Sequence, residues 1–526
     1  MQSLYVSRYL IGVKVFFFIL SCTQPDKTIQ DTGDSVSDEL SFEDTLIEAI
    51  EQDMTQTGAT AFSMTVLKDG AVSWSGGFGQ GTKDGSSVSS QTLFRVASIT
   101  KPMTAVLTLQ QVQEECLTLE SPVEMFLDNF VMAQQPELSS TVLVKDTMQM
   151  TGGFVDYQLQ SGEDGDGMIE GFIPAYLENG YFLSEPGRMY NYSNPNFVVA
   201  GSLVEYCTDN YFRLEMEENL WTPLQMNRTT FETDTVIADG SYAVGVTTYW
   251  PQNVGEEISV DAQSYSASHL WPAMGAWSSA EDLAQFGLFL MQGDTDILSA
   301  DLFSEMQQPQ VDTEEGYESK AYGYGLYVKD GIEMGGAHYP VTMISHSGTI
   351  YGYTSHMYLI PELEVGVIVL LNREKAVPSN SVPIALGLAE LVEPYEPDVS
   401  ISDEVSEYTG EYYNAFNIGT MLLEETESGL GIEIPALDNA NIEYDSNLEP
   451  VRPDNFYIHY PDGSFDLLSF IRDESGAVEY LRSRNYVGKK QQGQSYSPRS
   501  SSQETNIGND FGAWESSIDI FKAGQK

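Results

Sequence analysis

The sequence predicts an α/β domain over residues 43–385 that carries a helical insertion, followed by a separate all-β domain over residues 400–490. Three observations predict it. β-prone runs stand at both ends of the first region, amphipathic helical patterns fill the space between them, and from Ile401 onward only short alternating runs remain, broken by Gly, Pro and Asn.

Taken in order, Glu43–Met54 has helical spacing of its apolar positions. Ala61–Lys68 and Ala71–Phe78 are β-prone runs joined by Asp69-Gly70, a hairpin signal because Gly tolerates the left-handed conformation a tight turn needs. Pro102–Glu115 reads as a helix with Met103, Val106, Leu107, Leu109 and Val112 as its larger apolar residues. Phe197–Tyr206 and Asp282–Met291 are further helices, the latter capped by Ser279 with Glu281 and Asp282 in its first turn. Thr354–Leu359 and Val365–Leu371 flank Pro361-Glu362 as a strand pair. In the second domain, Gly419–Leu423 and Gly431–Ile434 are representative strands.

Both ends of the chain read differently from the middle. Arg8 and Lys14 precede the apolar run Val15–Leu20, the pattern of a secretory leader over residues 1–21. Ser21-Cys22 then fits a lipidation site at Cys22 or an ordinary cleavage beside an incidental Cys. Residues 22–42 form an acidic, flexible linker, and 491–526, rich in Ser, Gln and Gly, a disordered tail. The expected location is therefore outside the cytoplasm, with the membrane engaged only through a lipid on Cys22.

Composition narrows the partners. The 526 residues contain 24 Lys+Arg against 78 Asp+Glu, a formal charge of −54. Affinity for nucleic acid or anionic lipid comes from clustered Lys and Arg, which this chain lacks. Its acidic surface serves solubility. Cys116 and Cys207 lie in apolar helical patterns, and a disulfide and two buried thiols are both open. The five His show no metal-ligand spacing, and no cofactor is expected.

The candidate chemistry begins at Ser98-Ile99-Thr100-Lys101, where Lys101 is the only lysine with a Ser three residues before it. At helical spacing the hydroxyl and amine share one face, near the positive end of a helix. A Ser cap followed by a solvated Lys is the alternative for this fragment alone. Tyr-x-Asn occurs twice, at Tyr192-Ser193-Asn194 before a helix and at Tyr412-Tyr413-Asn414 in the β-rich region. His346-Ser347-Gly348 is the only His-x-Gly, and its position before the paired strands places it on an edge strand. Structural readings stand beside these: a core aromatic at 192, a helix cap at Asn194, a satisfied His346 and a strand kink at Gly348.

In this order the three motifs resemble the serine β-lactamase and penicillin-binding-protein superfamily, specifically its class C β-lactamase-like branch with D,D-carboxypeptidases and esterases. Phe94-Arg95-Val96-Ala97, Pro186-Gly187, Gly275–Leu283 and Tyr322-Gly323-Tyr324-Gly325 add to the likeness, which covers residues 43–375. The resemblance implies a β-lactamase/transpeptidase-like antiparallel sheet flanked by helices. It also implies that Ser98 is the nucleophile and that Lys101 and Tyr192 share proton transfer. Asn194 would bind Lys101 and the substrate amide, His346 and Gly348 would border the pocket, and the N–H groups of Ser98 and Thr349 would form the oxyanion hole. The expected substrate is a D-amino-acid peptide or small ester; a class C-like β-lactamase and a catalytically idle recognition lipoprotein are the alternatives. Two departures bear on this. His-Ser-Gly replaces the Lys-Thr-Gly usual in dedicated class C β-lactamases, and Met150-Thr151-Gly152-Gly153 replaces a more usual His-Thr-Ser-Gly, so local packing should change there.

Overall fold

The structure is a computed structural model that describes residues 41–156, 165–248, 255–264, 268–315, 319–397, 405–461, 463–484 and 486–491. The predicted leader, Cys22, the linker as far as residue 40 and the tail beyond Gln491 lie outside the described residues.

Helix α1 (Phe42–Thr57) starts one residue before the expected Glu43 because Ser41 and Asp44 form a capping box. It stops where Gly58 takes a left-handed φ of 72°. The hairpin β1 (Ala61–Lys68) and β2 (Ala71–Gly79) follows as its Asp-Gly turn requires. Much later the chain returns with β3 (Val311–Asp312), β4 (Ser319–Tyr322), β5 (Tyr327–Met334), β6 (Ala337–Ile350), β7 (Tyr353–Ile360) and β8 (Val365–Leu371). These make one antiparallel sheet in the order β2-β1-β8-β7-β6-β5-β4-β3. Strand β8 is apolar throughout because it is buried on both faces. Val365, Val367, Val369 and Leu371 pack toward Leu46 and Ile50 of α1. Ile368 and Leu370 join the opposite core with Leu283, Phe286 and Leu290 of helix α5 (Ala280–Gln292).

Strand β6 is interior to the sheet, which corrects the expectation of an edge strand for His346. Its pairing with β5 ends at Ser345, however, whereas its pairing with β7 runs on to Ile350. From His346 onward one side of β6 faces the helical half of the molecule. The sequence pattern missed the strands that complete the sheet beyond β6 because β4 is short and β5 is interrupted by Lys329-Asp330-Gly331, so both carry little of the β-branched signal read at β7 and β8.

Between the two halves of the sheet lie α2 (Thr100–Gln113), α3 (Met168–Asn179), α4 (Asn194–Thr208) and α5. Thr100 to Leu109 of α2 are buried on every side, so α2 is a central helix with no solvent-exposed stripe over those residues. Cys116, just past α2, is joined to Cys207 at the end of α4 by a disulfide. The option of two free thiols is thereby excluded.

The second domain is an antiparallel sheet of β9 (Gly410–Asn414), β10 (Gly419–Thr426), β11 (Gly429–Glu433), β12 (Glu449–Arg452), β13 (Asn455–His459), β14 (Phe465–Arg472), β15 (Val478–Arg482) and β16 (Val487–Lys490). Its order is β11-β10-β9-β16-β15-β14-β13-β12. The segment leading into β12 bonds back to β11, with Ile432 N donating to Ser446 O at 2.8 Å, so the sheet closes nearly into a barrel. This domain packs on residues 181–192 of the first. Leu183 and Met189 share a buried apolar cluster with Ile471, Tyr480 and Val487, and Arg188 bonds Glu479 and the Arg472 carbonyl.

The disulfide closes a separation of 91 residues and ties together the far ends of the two helices whose starts carry Ser98, Lys101 and Asn194. A cross-link over a loop of that length restricts the unfolded chain strongly. Cys116→Ser with Cys207→Ser is expected to lower unfolding free energy by about 2–5 kcal/mol, measured as the shift of the urea midpoint under non-reducing conditions.

Candidate active site

Ser98 is presented by a strained turn. Phe94-Arg95 pairs with Trp277-Ser278, after which Ala97 takes a φ of 46°, a conformation that costs a non-glycine residue on the order of 1 kcal/mol or more. The surroundings hold it there. Val96 N donates to Ala276 O at 3.0 Å, the Ser355 hydroxyl donates to Val96 O at 2.7 Å, and the Thr100 hydroxyl donates to Ala97 O at 2.7 Å. The short helical turn Ala97–Ile99 then runs directly into α2.

Gly348 of β6 is what lets the strand approach this turn. A Cβ at that position would lie 2.3 Å from Val96 O and 2.8 Å from Ser98 N. Thus β6 abuts the start of α2, and the exposed Thr349 follows at the cleft edge. Gly325 plays a similar part behind α2: at φ 76° its added Cβ would meet Pro102 Cα at 2.9 Å.

Lys101 is fully buried, and its Nζ has three polar neighbours: Ser98 Oγ at 3.0 Å, Asn194 Oδ1 at 2.8 Å and the Ala273 carbonyl at 2.8 Å. The last two are acceptors only. As an ammonium the group donates to all three; as a neutral amine, with two hydrogens and one lone pair, it would keep the Asn194 and Ala273 bonds and turn its lone pair to the Ser98 hydroxyl. Burial holds the amine well below the ordinary lysine range and outweighs the nearby Asp156 carboxylate, which acts in the opposite sense.

Asn194 opens α4, but Ser193 precedes it as the capping residue without a side-chain capping bond, its hydroxyl donating instead to Val155 O, and the Asn194 side chain is used elsewhere. Its Nδ2 donates to Asp156 Oδ1 at 3.1 Å and its backbone N donates to the same oxygen at 2.9 Å. Asp156 thereby fixes which way the amide points and turns its Oδ1 toward Lys101. The ring of Tyr192 lies 4.9 Å from Lys101 Nζ, and the nearby Ser98 side chain favours ionisation of its phenol less strongly than burial opposes it. Burial pushes this phenol up to about 12. Tyr192 therefore keeps its proton at neutral pH.

His346 is buried and neutral. Its Nδ1 lies 2.7 Å from Ser347 O and its Nε2 lies 3.1 Å from the Tyr322 hydroxyl. Protonated Nδ1 donating to the carbonyl leaves Nε2 to accept from the phenol, which satisfies the ring in one tautomer. Burial, with Lys101 nearby, depresses its pKa to about 3. Its ring stands 6.4 Å from that of Tyr192. Ser98, Lys101, Tyr192, Asn194, His346 and Gly348 therefore meet around one cleft. The other Tyr-x-Asn lies on β9 of the second domain, where the Tyr412 hydroxyl donates to Tyr408 O.

Two charged residues of this site have no counterpart in the motifs. Asp156 lies five residues after Thr151, within the loop whose altered sequence drew attention only to packing. That packing is indeed local: Met150, at φ 62°, sets its sulfur 3.5 Å from Ser193 N and 3.7 Å from Asn196 Nδ2. Arg484 comes from the turn between β15 and β16. Its guanidinium pairs with Asp156 Oδ2 at 2.7 Å and lies over the Tyr192 ring at 4.6 Å. Arg482-Ser483-Arg484 places two of only 24 basic residues in three positions, a signal for this contact that the motif reading did not use.

Among the described residues, no group of three or more His, Cys, Asp or Glu is arranged to hold a metal ion, and no helix is long and apolar enough to cross a membrane.

A family model described as Beta-lactamase matches residues 46–389. The unguisins hydrolase ungD' of Aspergillus campestris is 23% identical over 362 residues, which are 65% of this chain and 63%, under two thirds, of that protein. Protein flp of Staphylococcus aureus is 23% identical over 382 residues, 71% of this chain and 70% of its own. Among solved structures, SurE superposes with a TM-score of 0.64 at 20% identity, covering 86% of this chain and 99% of that one. The octameric penicillin-binding protein homologue from Pyrococcus abyssi gives 0.56 at 22%, covering 85% and 99%. At these identities the two superpositions speak to the fold, and they extend past the family match into the second domain. With its strained Ser98 turn, buried lysine and sheet arranged in this way, and with the family match spanning more than half its length, this chain belongs to the beta-lactamase family of serine hydrolases.

Proposed function

We propose that this protein hydrolyses D-amino-acid peptides or small esters through an acyl-enzyme on Ser98. The observation that carries the reading is the three-neighbour setting of Lys101 Nζ, which suits a neutral amine with its lone pair on the nucleophile. Lys101 takes the Ser98 proton as Oγ forms a bond to the substrate carbonyl carbon. The N–H groups of Ser98 and Thr349 receive the developing oxyanion, a donor of this kind being worth roughly 3–4 kcal/mol in the transition state. Tyr192, which keeps its proton at neutral pH, protonates the departing amine or alkoxide as the tetrahedral intermediate collapses. Lys101 passes its proton to Tyr192, restoring both groups; water then attacks the acyl carbon as it gives one proton to this pair, and that proton goes to Ser98 Oγ as the ester bond breaks, releasing the acid and the free serine. Asn194 Nδ2 and Oδ1 are engaged with Asp156 and Lys101, so its first duty is to orient the amine.

The state of His346 favours this reading over a dedicated β-lactamase. A lysine at the third motif offers a cation to the β-lactam carboxylate, whereas the buried imidazole is uncharged across the physiological range. Nitrocefin is expected to be turned over far more slowly than p-nitrophenyl or D-alanyl esters, compared by kcat/KM; fast nitrocefin turnover would favour the β-lactamase instead.

A fluorophosphonate probe and a fluorescent penicillin test the nucleophile. Labelling by at least one is expected, and Ser98→Ala should abolish it; the absence of any Ser98-dependent label would favour the idle recognition reading.

Lys101→Arg keeps a positive charge but removes the ability to become neutral, because guanidinium holds its proton to beyond pH 12. Loss of about 10²-fold or more in kcat/KM is expected, the range for a displaced general base. Near-normal ester hydrolysis in this variant would remove Lys101 from the proton transfer.

A further inference from the structure

The second domain reaches into the centre just described. Arg482 of β15 is buried and donates to the carbonyls of Tyr190 and Thr313, which fixes the segment that carries Tyr192. Two residues on, Arg484 pairs with Asp156 while half of its side chain stays exposed. From there an unbroken path of polar contacts reaches the nucleophile: Arg484 to Asp156 at 2.7 Å, Asp156 to Asn194 Nδ2 at 3.1 Å, Asn194 Oδ1 to Lys101 Nζ at 2.8 Å and Nζ to Ser98 Oγ at 3.0 Å.

Asp156 carries two consequences at once. Its carboxylate is needed to orient Asn194, yet a negative charge this close favours the protonated, inactive form of Lys101 and disfavours ionisation of Tyr192. A cation placed on its free oxygen keeps the first and offsets the second. We propose that Arg484 is a positioning residue of the second domain: by pairing with Asp156 it fixes Asn194 against Lys101 and masks the carboxylate from the amine, so that docking of the second domain completes the catalytic centre.

Other groups facing Lys101 do not supply this charge. From the turn before α2 comes the Ser98 hydroxyl, from the segment before α4 the Tyr192 phenol and Asn194, from residues 271–274 a carbonyl, and from β6 the neutral His346. Lys320, on β4, is paired with Glu315 at 3.2 Å. Arg484 alone among these sits on Asp156 and over the Tyr192 ring.

The inference rests on the acyl-enzyme reading, and its test separates the two. The pH dependence of kcat/KM for a p-nitrophenyl ester is measured for the full chain and for Arg484→Gln, Arg484→Lys, Asp156→Asn and the double variant Arg484→Gln/Asp156→Asn, with Ser98→Ala as reference. In Arg484→Gln, Asp156 acts unopposed, Lys101 holds its proton to higher pH, and the rising limb moves up by about one unit, roughly a tenfold loss of rate on that limb. Arg484→Lys restores part of it. The double variant returns the limb toward the parent although it too lacks the ion pair, because the charge to be masked has gone. Asp156→Asn alone moves the limb to lower pH, which carries the test if Arg484→Gln does not fold. An unmoved limb, or a double variant no better than Arg484→Gln, would reduce Arg484 to a fastener between domains and overturn the inference. Ester turnover that survives Ser98→Ala overturns the acyl-enzyme reading, and this inference with it.

Discussion

The constraint on which the site depends is the removal of one amine from water. Lys101 has no contact with solvent, and a charged ammonium in such a place is costly unless paired with an anion at close range. Among the described residues no anion touches it. Its three partners are a hydroxyl, an amide oxygen and a backbone carbonyl, none of which offsets a charge, and burial biases the amine toward the neutral form, whose lone pair can meet Ser98. Much of the catalytic domain serves that arrangement. Helix α2 is enclosed on all sides, the short helix Trp271–Met274 brings up the Ala273 carbonyl, and α4 begins at the residue that supplies the amide.

The same economy of charge holds for the rest of the cleft. His346 is satisfied in a single neutral tautomer by a carbonyl and a phenol, and Tyr192 keeps its proton. Burial therefore biases His346 and Lys101 toward their uncharged forms and leaves the Tyr192 phenol protonated. Charges stand one layer further out, in the Asp156–Arg484 pair, where they orient and bias the neutral groups without occupying the place where substrate reacts.

How much of this was legible in the sequence follows from whether a feature is local. The pairing of Ser98 with Lys101 depends on three residues of helical spacing, and β1, β2, β7 and β8 depend on β-branched runs and a Gly turn; all of these could be read directly. Helix ends came out one to three residues off, as at Asn194, where the expected helix began at Phe197, because caps and Pro195 extend it. The interior position of β6 could not be read, since of the strands on its far side β3 and β4 are short and β5 is broken by Lys329-Asp330-Gly331. Arg484 was out of reach for a stronger reason. It acts 328 residues from Asp156 and on a different domain, and no spacing rule connects such a pair. Only the docking of β15 and β16 onto residues 181–192 brings them together.

That docking also gives a place to the scarce basic residues of an otherwise acidic chain. At −54 the surface repels itself, and the repulsion acts between domains as well as within them. Cations are gathered at the seam against it: Arg188 meets Glu479, Lys489 bridges Glu185 and Glu479, Arg482 caps two carbonyls of the first domain, and Arg484 reaches Asp156. The outer pairs are partly exposed and are screened by salt, whereas Arg482 is buried and Asp156 nearly so, and contacts of that kind are screened far less. The inner contacts are the ones that touch the Tyr192 segment and the Asn194 anchor. Electrostatic fastening of the second domain is thus least sensitive to salt at the point where it meets the residues proposed to carry the chemistry.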